Sequence, residues 1–191
     1  MLSNKRRASP FSALRTLVET RRGGKLPLPP RLSRLYGAFR LPVPRLGPLV
    51  FSNFVSTLDG VVSLQVKGHS GGGDISGFSG QDRMVMGLLR AVADAVIVGS
   101  GTLAADPEHL WTPQAICPEL ADDYRRLSDA MEKPRAALNV IVSAAGTLNL
   151  RLPVFTSGKV AAMIITTLRG AQRLRAQRVP DAVQIHAIRR S

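Results

Sequence analysis

Three turns in the chain put small, hydroxylated or acidic side chains directly after short apolar runs, where a ligand-binding sheet would present them. The first is Ser56-Thr57-Leu58-Asp59-Gly60. Gly60 supplies the positive φ of a tight turn, and the hydroxyls of Ser56 and Thr57 fall at the end of the preceding run. A plain β-turn has the same composition. The second is Gly99-Ser100-Gly101-Thr102, whose small residues let backbone N–H groups approach a phosphate at a helix start. It lacks the third glycine of the dinucleotide fingerprint and the Gly-Lys-Ser/Thr of a P-loop. Asp106-Pro107 follows it, and Asp106 suits either a ribose hydroxyl or the start of a turn. The third is Thr166-Thr167, which caps a basic helix or, with Arg169, holds an extra phosphate on a bound dinucleotide.

Other chemistry is sparse. His69, His109 and His186 have no metal-ligand spacing, Cys117 is the only cysteine, and no Gly-x-Ser-x-Gly or His-Glu-x-x-His occurs. An intrachain disulfide and a Cys-rich zinc site are therefore excluded, and neither hydrolytic chemistry nor a metal is expected. An organic cofactor would explain why so few catalytic groups are present. Of the 26 Lys and Arg residues, 11 lie in positions 1–48 with Glu19 as the only acid. The overall charge of +13 thus divides into +10 for that end and +3 for the rest. A nucleic-acid role through the basic end is one reading, but the segment has few aromatics for stacking and no nucleic-acid motif. A solvated arm is the plainer one. No run reaches the roughly 18 apolar residues of a spanning helix, and the Arg-rich start lacks a secretory core. A cytoplasmic location is expected, with an organelle transit peptide as the minor alternative.

The elements that must position these turns follow from periodicity. Ser9-Pro10 is a cap and first-turn pair, and Phe11, Leu14, Leu17 and Val18 share a helical face, which predicts a short docking helix. Prolines make Leu26 to Arg31 and Leu41 to Pro44 extended. Beyond Leu49, β-branched runs alternate with helical patterns, the signature of βαβ units and a mainly parallel sheet. The strands are predicted at Val50–Ser56, Ala95–Val98, Leu138–Val142 and Val160–Thr166. Ser79 caps a helix with Asp82 at its third position and Met84, Leu88, Leu89 and Val92 on its buried face. A second helix runs from Pro118 to Glu132 through Leu120, Tyr124, Leu127 and Met131, and a third starts after Thr167. Two parts result: a basic, proline-containing extension with a short helix over 1–48, and an α/β domain over 49–191.

Taken in order, Ser52 to Gly60, Asp74-Ile75-Ser76 with Asp82, Leu89-Arg90-Ala91, Asp94-Ala95, Gly99-Ser100-Gly101-Thr102 and Asp106-Pro107 closely resemble the pyrimidine reductases of riboflavin biosynthesis. Asn139 to Ser143 matches a later strand, so the likeness spans roughly residues 49–170. The resemblance implies a dihydrofolate-reductase-like α/β fold with a mainly parallel central sheet flanked by helices. It also implies NADPH-dependent reduction of the ribosyl side chain of an aminopyrimidine 5′-phosphate. Carried over by position, Ser56, Asp74, Thr102, Asp106 and Ser143 would bind the cofactor, joined by Thr57 and Thr166 from the first and third turns. Arg90 and Leu110 would contact the substrate. Asn53 would face the reacting centre as the catalytic polar group, and the protein would mainly position the two partners for hydride transfer to the sugar's C1.

The sequence departs from that pattern at several places. Ala105, not a second aspartate, precedes Asp106, and the segment that usually carries a phosphate-binding arginine reads Glu108-His109-Leu110-Trp111-Thr112-Pro113. An insertion runs from about Trp111 to Glu132. The family's last strand, its Glu-Gly-Gly turn and the closing strands have no counterpart after Val183–Ile188, and the deaminase motifs sometimes fused to it are absent. The expectation is a reductase domain with its C-terminal strands missing, Val160–Thr166 lacking a neighbour, and a homodimer as partial compensation. The competing reading is a catalytically impaired nucleotide-binding remnant or partner subunit.

Overall fold

The computed structural model describes residues 11–19, 22–42, 47–64, 66, 69, 71–133 and 136–189. Four strands form one parallel sheet: β3 (Ala95–Gly99), β4 (Leu138–Val142), β5 (Ala162–Thr167) and β6 (Val183–Ile188), ordered β3-β4-β5-β6. The small strands β1 (Gly24–Lys25) and β2 (Arg40–Leu41) pair antiparallel as a separate ribbon.

The helices are α1 (Pro30–Tyr36), α2 (Gly72–Ser76), α3 (Gly80–Val92), α4 (Ser100–Ala105), α5 (Pro113–Ile116), α6 (Ala121–Ala130), α7 (Pro153–Thr156) and α8 (Leu168–Arg175), of which α4 and α8 pack directly on the sheet. A 3-10 turn, Pro118–Leu120, precedes α6. The α/β class and the mainly parallel sheet flanked by helices are as expected.

The sheet registers Gly99 against Val142, Val142 against Ile165 and Thr167 against Ile188, so the C-terminal ends of all four strands form one edge. Val98, Ile141, Ile164 and Ile185 line up on one face. That face packs with Leu103, Trp111, Leu148, Leu150, Phe155 and Leu174 into one core. On the opposite face Ile97, Val142 and Ile188 are exposed. A second core joins Met84, Leu88 and Val92 of α3 to Leu120, Tyr124 and Leu127 around α6, and takes in Phe11, Leu32, Leu35 and Phe39 from the N-terminal part of the chain. Tyr124 donates to the Met84 carbonyl at 2.9 Å. The Arg31 guanidinium reaches the Glu119 carbonyl at 3.0 Å and lies 3.6 Å from the Asp123 carboxylate.

Several expectations are corrected. Residues 11–19 form no helix, and Ser9 and Pro10 lie outside the described residues. The helix forms instead at Pro30–Tyr36, starting within the last two residues of the Leu26–Arg31 run expected to be extended. Pro30 sits at the first helical turn, where its missing N–H costs nothing, and Leu32 and Leu35 give the buried face. The strand expected at Val50–Ser56 is absent: residues 51–57 run without ladder pairing, with Val50 and Phe54 exposed. A β-rich sequence becomes a strand only against a partner edge, and β3 is paired on one side alone among the described residues. The strand expected to start at Val160 starts at Ala162, and it has two neighbours, because Val183–Ile188 pairs with it over its whole length. The helix expected from Pro118 to Glu132 is the 3-10 turn followed by α6.

Candidate functional site at the end of β3

The turn after β3 opens α4. Gly99 is its cap residue in extended conformation, and Leu103, almost fully buried, anchors the helix in the sheet core. A Cβ on Gly99 or Gly101 would meet nothing within 4 Å, so the turn's backbone is open to solvent. Asp106 ends the helix by donating its N–H to the Thr102 carbonyl at 3.2 Å, and the His109 N–H closes the next turn on the Asp106 carbonyl at 3.3 Å. Thr102 and Asp106 are exposed and one helical turn apart.

Arg90, near the C-terminal end of α3, is half-buried against this turn. Its Nη1 donates to His109 Nε2 at 2.8 Å and to the Thr112 carbonyl at 3.4 Å. On the other side of the ring, His109 Nδ1 lies 3.5 Å from the Asp106 carboxylate. Burial lowers the Arg90 pKa to about 10 against the pull of Asp106, which leaves the guanidinium charged at neutral pH. Burial and then Arg90 push the His109 pKa down, opposed by Asp106. The Trp111 ring meets the imidazole edge-on at 5.5 Å. Behind it Asn139, fully buried on β4, accepts from the Trp111 N–H at 3.1 Å and donates to the Ala137 carbonyl at 3.0 Å. Leu110 is half-buried and packs into the sheet core.

Farther along the same edge, the Thr166 and Thr167 hydroxyls both donate to the Ala144 carbonyl, at 3.4 and 2.9 Å. Thr167 also caps α8 by accepting from the Gly170 N–H at 3.0 Å. Gly146 takes φ +64°, and a Cβ there would stand 2.3 Å from the Gly170 carbonyl oxygen, so the loop after β4 and the start of α8 touch through backbone alone. Ser143 is buried at the head of that loop, its N–H donating to the Ile165 carbonyl at 3.0 Å.

The sheet edge therefore carries Ser143 and Thr166 at the ends of β4 and β5, with Thr102 on the helix that follows β3, Asp106 at that helix's end, Arg90 reaching Asp106 through His109, and Leu110 next in the chain. It does not gather Asn53 and Ser56, which are exposed on the segment outside the sheet. Thr57 is absorbed in its own turn, its hydroxyl bonding Asp59 and accepting from the Val61 N–H at 2.9 Å, with Gly60 at φ +89°. The Asp74 carboxylate on α2 is 3.0 Å from His69 Nδ1. Sequence reasoning overlooked His109, set aside for lacking metal spacing, and Asn139, seen only as part of a strand. A polar residue in the apolar run Leu138–Val142 was the available signal for the second. Among the described residues no group of three or more His, Cys, Asp or Glu could hold a metal, and no helix is long and apolar enough to cross a membrane. A surface concavity of about 490 Å³ between α1 and α6 is lined by Arg31, Arg34, Glu119 and Asp122, none of them on the sheet edge.

The family model described as the RibD C-terminal domain matches residues 48–188, which covers the whole sheet and every residue of the Arg90 cluster. No curated protein matches the chain. With three-quarters of its length matched, and with the parallel sheet and glycine turn in place, the chain belongs to the RibD C-terminal domain family, the pyrimidine reductases of riboflavin biosynthesis.

Proposed function

We propose that the protein reduces the ribosyl side chain of an aminopyrimidine 5′-phosphate with NADPH. The observation that carries this reading is Arg90, a charged guanidinium kept half-buried beside the Asp106–His109 turn that follows α4. A cation held in a poorly solvated place by a histidine, a carbonyl and a nearby carboxylate suits an anionic substrate better than a surface salt bridge.

The residues fit the cofactor in part. The Gly99-Ser100-Gly101 backbone is unobstructed, Ser143 and Thr166 stand at the ends of β4 and β5, and the Asp106 carboxylate is exposed at the end of α4. Thr102, Asp106, Ser143 and Thr166 would hold NADPH, which supplies a hydride when bound. Asp74 and Ser56 would join them, and Asn53 would orient the sugar, once their segments approach the edge. Leu110 would form the apolar wall beside Arg90. A cytoplasmic location and a homodimer belong to the same proposal.

The exposed position of Asn53 and Ser56 favours a second reading, a nucleotide-binding domain with little turnover of its own. The test is NADPH oxidation by the purified chain in the presence of the phosphorylated aminopyrimidine, with NADPH binding measured separately. Oxidation that depends on substrate and falls at least tenfold in Arg90→Ala supports the reductase. NADPH binding without oxidation supports the second reading, and neither would overturn both.

A further inference from the structure

We propose that His109 is a positioning residue that holds the Arg90 guanidinium and exchanges that bond for a proton when a phosphate-type oxyanion binds. The inference rests on the reading of Arg90 as an anion contact and adds to it the residue that controls its availability.

The geometry fixes the protons. A guanidinium nitrogen can only donate, so the 2.8 Å contact from Arg90 Nη1 requires an unprotonated Nε2 on His109. The ring's single proton then sits on Nδ1, turned toward the Asp106 carboxylate 3.5 Å away. The charged groups facing the imidazole are Arg90 from α3 and Asp106 from the end of α4. Trp111 and Thr112 add uncharged contacts, and Glu108, next in the chain, is exposed. Protonating His109 in this arrangement would set two donors against each other. Burial and Arg90 accordingly lower its pKa, with Asp106 acting in the opposite sense.

An oxyanion placed between the two reverses the preference. The Arg90–His109 bond breaks, solvent supplies one proton to Nε2, and both side chains become charge-assisted donors to the anion. The Asp106 carboxylate keeps the Nδ1 proton and offsets one of the two positive charges. Anion binding and proton uptake are then linked, so affinity rises as pH falls through the His109 range. A neutral ligand has no such effect.

The experiment follows the three histidines of the whole chain by NMR, with His109→Gln to assign the signal, and titrates pH with and without sulfate, which does not itself titrate in this range. Saturating sulfate should raise the His109 midpoint by about one unit, equivalent to about tenfold tighter binding to the protonated form. His69 and His186 should stay in place. In Arg90→Gln, and more mildly in Arg90→Lys, the midpoint without anion should rise and the sulfate response should shrink.

Ribose 5-phosphate and NADP⁺, tested in turn, assign the anion to substrate or to cofactor according to which reproduces the shift. A His109 midpoint indifferent to sulfate and to both phosphates overturns the proposal, as does a response unchanged in Arg90→Gln. A sulfate response in a chain that oxidises no NADPH would sink the reductase reading and leave this site standing. Turnover without the response would do the reverse.

Discussion

The Arg90 cluster and the segment 47–64 hold equally suggestive residues under opposite physical conditions. At the cluster the polar side chains have neighbours: Arg90 meets His109 and Thr112, and Asn139 secures Trp111 from full burial. Along 47–64, Asn53, Ser56 and the apolar Val50, Phe54 and Leu58 are exposed, and the turn at Thr57 is held by its own hydrogen bonds. Side-chain type alone does not make a site. Position comes from packing against elements that already have somewhere to be.

Matched substitutions in the two regions sharpen or break this contrast. The largest difference is expected between two glycines. Gly170→Ala puts a Cβ 2.0 Å from the Thr166 hydroxyl and 2.8 Å from the Ala144 carbonyl oxygen, and should cost about 3 kcal/mol in urea unfolding. Gly60→Ala faces open space and suffers only its φ of +89°, a cost of about 1 kcal/mol. Equal losses would show that the 47–64 turn is packed as tightly as the sheet edge.

Next come two asparagines. Asn139→Leu leaves the buried Trp111 N–H without its acceptor and should lose about 2 kcal/mol, whereas Asn53→Leu should stay within about 0.5 kcal/mol. A loss above about 1 kcal/mol at Asn53 would mean that its segment is docked in solution.

A smaller effect should appear in the pH dependence. His109 has a folded pKa below the ordinary value of about 6.5, so between the two values the unfolded chain binds a proton that the folded chain refuses. Stability therefore rises with pH across that window, is lost as pH falls through it and is level above it. His109→Gln should flatten the slope, and a slope that persists unchanged would assign it to another group.

The smallest change is expected in Phe54→Ser, which should leave the unfolding midpoint in place while lowering the fluorescence of a hydrophobic dye bound to the native chain. A clear drop in stability would place Phe54 in a core.

Much of the fold could be read from local pattern, because the responsible interactions are local. Ser79 caps α3 through the Asp82 N–H, Thr167 caps α8, and Leu138–Val142 is a strand at the expected residues. What failed depends on partners far away in sequence. Val50–Ser56 has strand composition but no neighbour in the sheet, and Val183–Ile188, whose Val-Gln-Ile-His alternation was visible, became a strand because β5 offered an edge. Phe11 buries itself without a helix, while Pro29-Pro30, at the end of a run whose prolines argue for extended chain, starts one. At the site, Thr102, Asp106 and Arg90 were identifiable as separate motifs. The bond between Arg90 and a histidine 19 residues later was not, since nothing in either local pattern encodes it.

The strand order β3-β4-β5-β6 has a consequence for how the molecule is made. Neighbours in the sheet are neighbours in the chain, so as the polypeptide leaves the ribosome each new strand finds its template already present. Assembly can proceed by accretion from one side, with every step closing only the loop just synthesised. The growing front is always the most recent strand, and the earliest one, β3, has no ladder partner on its far side among the described residues, so that side is left to something other than its successors.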